Sequence, residues 1–189
     1  MAVTTLDPQT ALIVVDLQNA IVALPVAHPV DAVVKNAADL AAAFRSRGLP
    51  VVLVRVDGRA PGRNEQAPRP ASGQQAGAAE LVPELNQKPG DHVVVKRAWG
   101  GAFTNTGLAE HLTALGVTQV VLAGVATSVG VESTARQAHE LGFDVTLAVD
   151  DMTDMSADAH NNSVARIFPR LGETGTSGEI LDLITASGD

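Results

Sequence analysis

The sequence predicts an α/β fold of three layers, in which helices cover both faces of a mostly parallel sheet. Five short runs of β-branched and other apolar residues recur along the chain, and such runs are typical of strands buried on both faces. Helical patterns separate these runs, and strands that alternate with helices form parallel sheets through right-handed crossovers. The predicted strands are residues 11–16, 50–56, 92–96, 119–124 and 143–149.

The helical patterns lie between and after these strands. The clearest one, residues 30–48, ends at a glycine that is followed by Pro50, as expected at a helix C-cap. Two further patterns also end at glycine, and the remaining two follow the last predicted strand. These four predicted helices are residues 106–116, 131–142, 156–168 and 177–186. No change in composition divides the 189 residues, so we expect one domain over residues 1–189.

Residues 57–80 interrupt the alternation of strands and helices. This segment is rich in Pro, Gly, Gln and Arg and has no apolar periodicity. A loop of this length inside a compact domain is commonly a lid or a binding segment, or a surface excursion without a function. A lid or a subunit contact, and a surface excursion without a function, are equally open as expectations for this segment.

Composition restricts the classes of function. The chain has 13 Lys and Arg against 21 Asp and Glu, a formal charge of −8, and such a surface repels nucleic-acid phosphates. Because the chain has no cysteine, disulfides and thiolate metal ligands are excluded. Neither a signal-peptide pattern nor an apolar run of the ~20 residues that span a bilayer is present. We therefore expect a cytoplasmic protein without nucleic-acid or membrane partners.

The residues that end the predicted strands are the candidates for a site, because ligands of open parallel sheets bind at the carboxyl ends of the strands. Asp16 ends the first strand and Lys96 the third. If they face each other, burial raises the pKa of the acid while the ammonium lowers it, which suits proton transfer near neutral pH. Separately, Asp16 is equally well explained as a turn residue and Lys96 as a side chain that reaches solvent.

The fourth strand leads into a bend of small residues, GVATSVGVESTARQA, at residues 124–138. Together with ALIVVDLQNAIV and VVVKRAWGGAFTNTGLAEHL, this segment resembles the isochorismatase-like hydrolases, also called cysteine hydrolases. The motifs occur in the family's order over about residues 9 to 175. The resemblance implies a Rossmann-like parallel sheet and an active site of Asp, Lys and Cys, which it places at Asp16, Lys96 and Gly130. It also implies a non-proline cis peptide at Val125–Ala126.

Gly130 restricts the chemistry, because a residue without a side chain forms no covalent intermediate. The neighbouring hydroxyls of Thr127, Ser128 and Ser133 do not occupy its position, and no histidine base is evident beside them. We expect Thr127 and Ser128 to cap the following helix. Isochorismatases also have glycine at this position. The resemblance therefore implies hydrolysis of a small carboxylated vinyl ether of the isochorismate type, which releases pyruvate, with Asp16 as the general acid.

The remaining roles follow from the same resemblance. Lys96 is expected to hold the substrate carboxylate or to tune Asp16, and Gln18 to orient water or substrate. Backbone N–H groups near Ala126 and Gly130 are expected to receive negative charge at a helix start. Two aromatic residues complete the candidate substrate contacts. Trp99 is placed by its position after the third strand and not by the resemblance: it is expected as a wall of the pocket, with a core or interface residue as the alternative. Phe103 matches a motif position and is otherwise explained by packing.

No metal or other cofactor is expected. Nicotinamidase-type relatives have an Asp and His cluster for a divalent metal after the second strand, where this chain has Asp57 and no histidine. His28 precedes Pro29 and is expected to be a turn residue, with a pocket-lining role as the alternative. The other four histidines are expected at the surface: His92, His111, His139 and His160.

Two alternative functions stay open. The sequence of the bend is closer to the amidase branch, which favours a hydrolase whose activity has changed, acting on an amide without a covalent intermediate. The second alternative is a catalytically inactive homologue that binds a small acid. In every case the expected partner is a small anionic molecule, and the resemblance implies a homo-oligomer, a dimer or larger.

Overall fold

A computed structural model of the protein describes residues 3–58, 60, 62–63, 65 and 77–186. Within them, six strands form one parallel sheet in the order β3-β2-β1-β4-β5-β6. The five predicted strands are confirmed, and a short sixth strand was not predicted. The strands are β1 Thr10–Val15, β2 Val51–Val56, β3 His92–Lys96, β4 Gln119–Val125, β5 Asp144–Thr153 and β6 Glu173–Gly175.

The predicted helices are confirmed, four of them with shorter ends and the last with the predicted bounds 177–186, and a four-residue helix follows β1 in addition. A π-helical turn over Thr127–Val131 precedes α4, and a second one over Ser163–Ile167 extends α5. Two 3₁₀ turns lie at Pro83–Leu85 and Phe168–Arg170. The α-helices are α1 Asn19–Val22, α2 Val30–Ser46, α3 Leu108–Ala114, α4 Glu132–Glu140, α5 Ala157–Asn162 and α6 Ser177–Ala186.

The two faces of the sheet are packed separately, which gives the three layers that the sequence predicts. Along β1, Ile13 and Val15 lie in an apolar cluster with residues of α3 and α4. Leu12 and Val14 point to the opposite face and pack with residues of α2 and α6. Side chains of successive strand residues alternate between faces, so a strand that is apolar throughout serves both layers.

The strand order reverses direction at β1, which lies between β2 and β4. In sheets of this kind the ligand crevice forms at the carboxyl ends of the strands where the order reverses. Gly124 allows the close approach of β4 to β1 here: its φ is +118°, and a Cβ at this position would clash with the Val15 backbone. The fold therefore brings the ends of β1 and β4 together.

Residues 77–80, at the end of the predicted loop 57–80, lie against the segment that follows β1. The N–H groups of Asn19 and Ala20 donate to the carbonyls of Glu80 and Ala78, each at 3.0 Å. Residues 59, 61, 64 and 66–76 lie outside the described residues, so the expectation of a lid or subunit contact stays a prediction.

Candidate active site

Asp16 follows the last residue of β1 and is buried, with 4% of its surface exposed. Its φ of 53° lies in the left-handed region, which Asp tolerates better than most residues with a side chain. Its N–H donates to the carbonyl of Val54 on β2 at 3.0 Å. The backbone turn at this residue carries the carboxyl group above the end of the sheet.

Lys96 ends β3, two strands away, and spans the distance with its long side chain. Its Nζ lies 2.8 Å from Asp16 Oδ2. It also donates to the carbonyls of Gly100 at 2.6 Å and Trp99 at 3.3 Å. An ammonium group has three N–H donors, so each of them has an acceptor within the protein.

The two oxygens of the Asp16 carboxyl have different surroundings. Oδ2 pairs with Lys96, whereas Oδ1 is buried and has no hydrogen-bond partner in the described part of the chain. Burial raises the pKa of Asp16 and the charge of Lys96 lowers it, with a net value of about 6. A pKa of about 6 leaves this carboxyl in both protonation states near neutral pH, and Oδ1 is the oxygen that does not pair with Lys96.

Gly130 lies directly beside this ion pair. A Cβ placed on Gly130 would be 3.4 Å from Asp16 Oδ2, 3.4 Å from Lys96 Nζ and 3.0 Å from Val15 Cγ1. The structure thus brings together the three residues at which the resemblance places the active site. The peptide bond between Val125 and Ala126, just before the bend, is cis, as the resemblance implied.

The hydroxyl groups of the bend do not cap a helix, so the expectation for Thr127 and Ser128 was wrong. The residue in the N-cap position is Ala126, which has no side chain able to cap. Thr127 Oγ1 instead lies 2.8 Å from Nδ1 of His160, and Ser128 donates its N–H and Oγ to Asp154 Oδ2, each at 2.8 Å. The structure thus places a histidine beside Thr127, where none is evident from the sequence.

His160 was wrongly expected at the surface. It is buried, with 8% of its surface exposed, and its ring packs on that of His28 with centroids 4.5 Å apart. Burial and the nearby His28 lower the pKa of His160. The residues around His160 carry no signal of this pairing, because it depends on how α5 packs against the bend.

The other histidines have different surroundings. His28 Nδ1 lies 3.0 Å from Thr153 Oγ1. His28 therefore contacts both Thr153 and the ring of His160, in addition to its place in the turn before Pro29. His92 and His111 stack on each other with centroids 3.8 Å apart and are half-buried. His139 is exposed, as expected.

The expected substrate contacts divide into two kinds. Gln18 is buried and its amide is bound to backbone: Nε2 donates to the carbonyls of Val56 and Ala79, and Oε1 accepts from the N–H of Val56. This side chain fixes the wall of the site, and both of its N–H donors are used. Phe103 packs into the apolar cluster beneath α3 and α4, near Phe143. Its position fits the packing alternative.

Trp99 and Ala126 remain at the site. The Trp99 carbonyl contacts Lys96, while its side chain is 51% exposed. Ala126 precedes the π-helical turn and is buried, with its carbonyl accepting from the N–H groups of Val129 and Val131. Trp99 thus contacts the ion pair through its backbone and exposes an indole, a group suited to contact with a bound molecule.

Thr134 is a further residue near the site that sequence reasoning missed. It lies one helical turn after Gly130, and its Oγ1 donates to the Gly130 carbonyl at 2.6 Å. The spacing of four residues was a usable signal, since a threonine in a helix commonly bonds the carbonyl four residues before it.

Metal ligands and membrane-spanning helices are both missing from the part of the chain that the structure describes. Within the described ranges, no three His, Asp or Glu side chains come together in a way that would hold a metal ion. In the same residues, no helix has the length and apolar character needed to cross a membrane.

Sequence similarity to known proteins extends over nearly the whole chain. The sequence profile of the isochorismatase domain matches residues 10–179. The isochorismatase-family protein YecD of Escherichia coli O157:H7 is 41% identical over 186 residues, which covers 93% of this chain and 96% of YecD. The ureidoacrylate amidohydrolase RutB of Methylobacterium radiotolerans is 35% identical over 175 residues, covering 76% of this chain and 67% of RutB.

A solved structure supports the same relationship. An isochorismatase-family protein from Burkholderia thailandensis superposes with a TM-score of 0.90 at 37% sequence identity, covering 96% of this chain and 98% of that one. The two chains therefore share the sheet and both helical layers.

Proposed function

The chain belongs to the isochorismatase family and is a hydrolase; on that premise, we propose that it hydrolyses a small carboxylated vinyl ether of the isochorismate type and releases pyruvate. Asp16 is the general acid. The observation that carries the proposal is the Asp16 carboxyl, of which one oxygen pairs with Lys96 while the other is buried and, among the described residues, unpartnered. With a pKa raised by burial to about 6, this group is present in both protonation states near neutral pH.

The reaction proceeds by proton transfer to carbon. Asp16 gives its carboxyl proton to the terminal carbon of the enol ether, and the electron pair of the double bond forms the new C–H bond. The resulting oxocarbenium ion takes up water, which returns a proton to the Asp16 carboxylate. The hemiketal hydroxyl then loses its proton as its oxygen forms the keto group, the C–O bond to the alcohol breaks, and the departing oxygen takes up a proton, so that pyruvate and an alcohol leave. No step requires a nucleophilic side chain, which agrees with glycine at position 130.

Lys96 acts on Asp16 rather than on the substrate. Its three N–H donors already have acceptors, namely Asp16 and the carbonyls of Trp99 and Gly100. When Asp16 gives up its proton, the carboxylate that forms is next to a fixed ammonium group. A charge that develops beside a preorganised partner is stabilised without reorganisation of the site. Of the two roles expected for Lys96, this geometry supports tuning of the acid.

The bend supplies space and backbone donors. Because Gly130 has no side chain, the substrate carbon can approach Asp16 from the side where a Cβ would otherwise lie within 3.4 Å of the carboxyl. The start of the helical segment at Ala126 and Gly130 presents N–H groups that favour the substrate carboxylate. Trp99 forms the outer wall.

Amide hydrolysis is the second candidate. It is favoured by the similarity to RutB, a ureidoacrylate amidohydrolase. Without a cysteine, water would attack the carbonyl carbon and Asp16 would act as the general base. The same residue is then needed in its deprotonated form, so the two candidates differ in the sign of their pH dependence.

We also propose a cytoplasmic homo-oligomer that acts on an anionic small molecule. The absence of cysteine from the sequence agrees with a reducing compartment. The resemblance supports a dimer or a larger assembly. Light scattering of the purified protein would give the mass of the assembly, and a monomer at micromolar concentration would contradict this part of the proposal.

The experiment is an assay of pyruvate release from isochorismate, coupled to lactate dehydrogenase. We expect turnover by the wild-type protein and a loss of about 10²–10⁴-fold in Asp16→Asn, the range typical of a general acid. Asp158→Asn is the matched control, because Asp158 is exposed on α5. Folded wild-type protein that releases no pyruvate would contradict the proposal. Binding without turnover would indicate an inactive homologue, and amide turnover that survives Asp16→Asn would exclude a shared site.

A further inference from the structure

We propose that Thr134 is a positioning residue, which couples the Gly130 bend to the loop that holds the Lys96 ammonium group. This inference rests on the proposed function, since it assigns to Thr134 a role in the working geometry of Asp16 and Lys96. Thr134 carries no charge, so its effect on the acid has to pass through the groups that it binds.

The hydroxyl of Thr134 makes two hydrogen bonds in opposite directions. Thr134 is completely buried in α4. Its Oγ1 donates to the carbonyl of Gly130 at 2.6 Å and accepts from the N–H of Ala102 at 3.0 Å. A single atom therefore joins the bend at the end of β4 to the loop that follows β3.

That loop is the structure that holds Lys96. The carbonyls of Trp99 and Gly100, which lie two to three residues before Ala102, accept from Lys96 Nζ. The position of Ala102 therefore helps to fix the position of both carbonyls, and through them the ammonium group that lies 2.8 Å from Asp16.

A second side chain of α4 supports the same loop. Gln137 accepts from the N–H of Phe103 at 3.1 Å and donates to Thr104 Oγ1 at 2.7 Å. Gly101 allows this close packing, since a Cβ there would clash with the side chain of Gln137. Of these two residues, only Thr134 also makes a hydrogen bond to the bend, through the carbonyl of Gly130. Thr134 therefore fixes the position of the loop relative to Gly130.

Loss of the hydroxyl should therefore act on Asp16 indirectly. Valine has nearly the shape of threonine but neither donates nor accepts, so Thr134→Val leaves the Ala102 N–H and the Gly130 carbonyl without this partner. The loop is then free to move its carbonyls away from Lys96. Lys96 is the charged group that lowers the pKa of Asp16, so a less firmly held ammonium lets that pKa rise.

The test compares Thr134→Val with Thr134→Ser, which keeps the hydroxyl. Thr146→Val is the matched control, because Thr146 is also completely buried and its Oγ1 accepts from Gln119, near the amino end of β5. Two quantities are measured in each protein: the apparent pKa of the Asp16 carboxyl by ¹³C NMR titration, and kcat and KM for pyruvate release. The titration does not depend on any substrate.

We expect Thr134→Val to raise the Asp16 pKa measurably and to lower kcat by about tenfold, with KM changed by less than about twofold, as for an interaction made mainly in the transition state. Thr134→Ser should restore both quantities. Thr146→Val should lower the melting temperature and change neither of them. If the valine variant does not fold, Thr134→Ala is measured in its place.

An Asp16 pKa that is equal in wild type and Thr134→Val would overturn the inference. So would a shift of the same size in Thr146→Val, or a serine variant that behaves like the valine variant. If wild type releases no pyruvate while Thr134→Val still shifts the titration, the proposed reaction fails and the positioning role stands. If wild type releases pyruvate and the titration does not shift, the reaction stands and the positioning role fails.

Discussion

Asp16 and Asp151 are buried aspartates near the carboxyl ends of β1 and β5, and their charged neighbours differ. Asp16 follows β1 and has Lys96 at 2.8 Å. Asp151 lies near the end of β5, is completely buried, and has no hydrogen-bond partner on either oxygen in the described part of the chain. Burial raises the pKa of both, to about 6 for Asp16 and to about 8 for Asp151, where the charge of Asp150 raises it further and the polar side chains of Asn36 and Ser177 lower it.

The difference shows what a cation contributes to a buried acid. At Asp151, burial and the neighbouring negative charge of Asp150 both favour the neutral form and keep the carboxyl protonated at neutral pH, so this residue is suited to packing and not to proton exchange. With Lys96 beside it, Asp16 is buried and still able to lose its proton. An ordinary residue thus becomes an acid that works near neutral pH when a single ammonium group is held against it.

Lys96→Met should remove the difference in pKa between Asp16 and Asp151. This variant is expected to have a larger effect on activity than Asp151→Asn, Gly130→Ala or Trp99→Ala. Without the ammonium, the pKa of Asp16 should rise above 6 towards that of Asp151, and the carboxylate formed in the reaction loses its stabilising partner. We expect pyruvate release to fall by about 10²-fold or more. Carboxyl titration by NMR and the coupled assay measure the two effects.

Lys35→Met is the control for Lys96→Met. It removes an exposed lysine that pairs with Asp39 on the surface of α2, and exposed pairs of this kind contribute little to stability. If the pKa of Asp16 stays near 6 in Lys96→Met, the ammonium group of Lys96 is not what holds this pKa below that of Asp151.

Asp151→Asn should show that the second aspartate acts on stability alone. Because the pKa of Asp151 is raised in the folded state, folding takes up a proton, and the free energy of unfolding falls as pH rises from about 4 to about 8. The slope is at most about 1.4 kcal/mol per pH unit. Asparagine does not titrate, so the variant should lack this slope and gain stability relative to wild type as the pH rises through this range.

Urea unfolding at pH 5, 7 and 9 measures the slope of the Asp151→Asn variant against wild type. Asp158→Asn, at an exposed position of α5, controls for the removal of one negative charge. We expect pyruvate release by Asp151→Asn to stay within about twofold of wild type. Equal slopes for Asp151→Asn and wild type, or a large loss of activity, would contradict the contrast between the two aspartates.

Gly130→Ala tests whether the substrate uses the space beside Asp16. The added methyl group lies 3.0 Å from Val15 Cγ1 and 3.4 Å from the carboxyl and ammonium groups. We expect a loss of activity of about tenfold and a small destabilisation, roughly 1–3 kcal/mol, from overpacking. Gly90→Ala is the control, since a Cβ at Gly90 meets nothing within 4 Å. Full activity in Gly130→Ala would mean that the substrate does not use this space.

Of the substitutions within the site, Trp99→Ala should have the smallest effect on activity. It distinguishes the role of the Trp99 side chain from that of its backbone carbonyl. The Trp99 carbonyl holds Lys96, whereas the exposed indole is free to contact a substrate. We expect KM to rise a few-fold, as for loss of one aromatic contact, while the pKa of the acid limb stays unchanged. A shifted pH profile would instead indicate that the indole holds the loop in place.

Most of the fold and the central part of the site could be predicted from the sequence. The strands are short apolar runs whose residues all need burial, and the ends of parallel strands meet at one edge, so Asp16 and Lys96 could be placed there together. The sixth strand, Glu173–Gly175, was missed because three residues carry no clear periodicity. Gly130 was found through the order of motifs along the chain.

The contacts that tune the site could not be predicted in the same way. His160 and Thr127 are 33 residues apart, and their hydrogen bond depends on the packing of α5 against the bend. The isolation of Asp151 depends on which side chains surround the end of β5. Thr134 was within reach, because its distance of four residues from Gly130 follows from helical geometry, but its bond to Ala102 joins α4 to a loop that is distant along the chain.

The most direct test of Asp16 as a general acid is the pH dependence of kcat/KM for pyruvate release from isochorismate. This quantity reports the pKa of the essential group in the free enzyme. Because the acid must carry its proton, kcat/KM should be highest below pH 6 and should fall about tenfold per pH unit above it, while Asp16→Asn should be less active by about 10²-fold or more and should lack this pH dependence. A rate that rises with pH through 6, or one that does not change across the neutral range, would contradict the assignment.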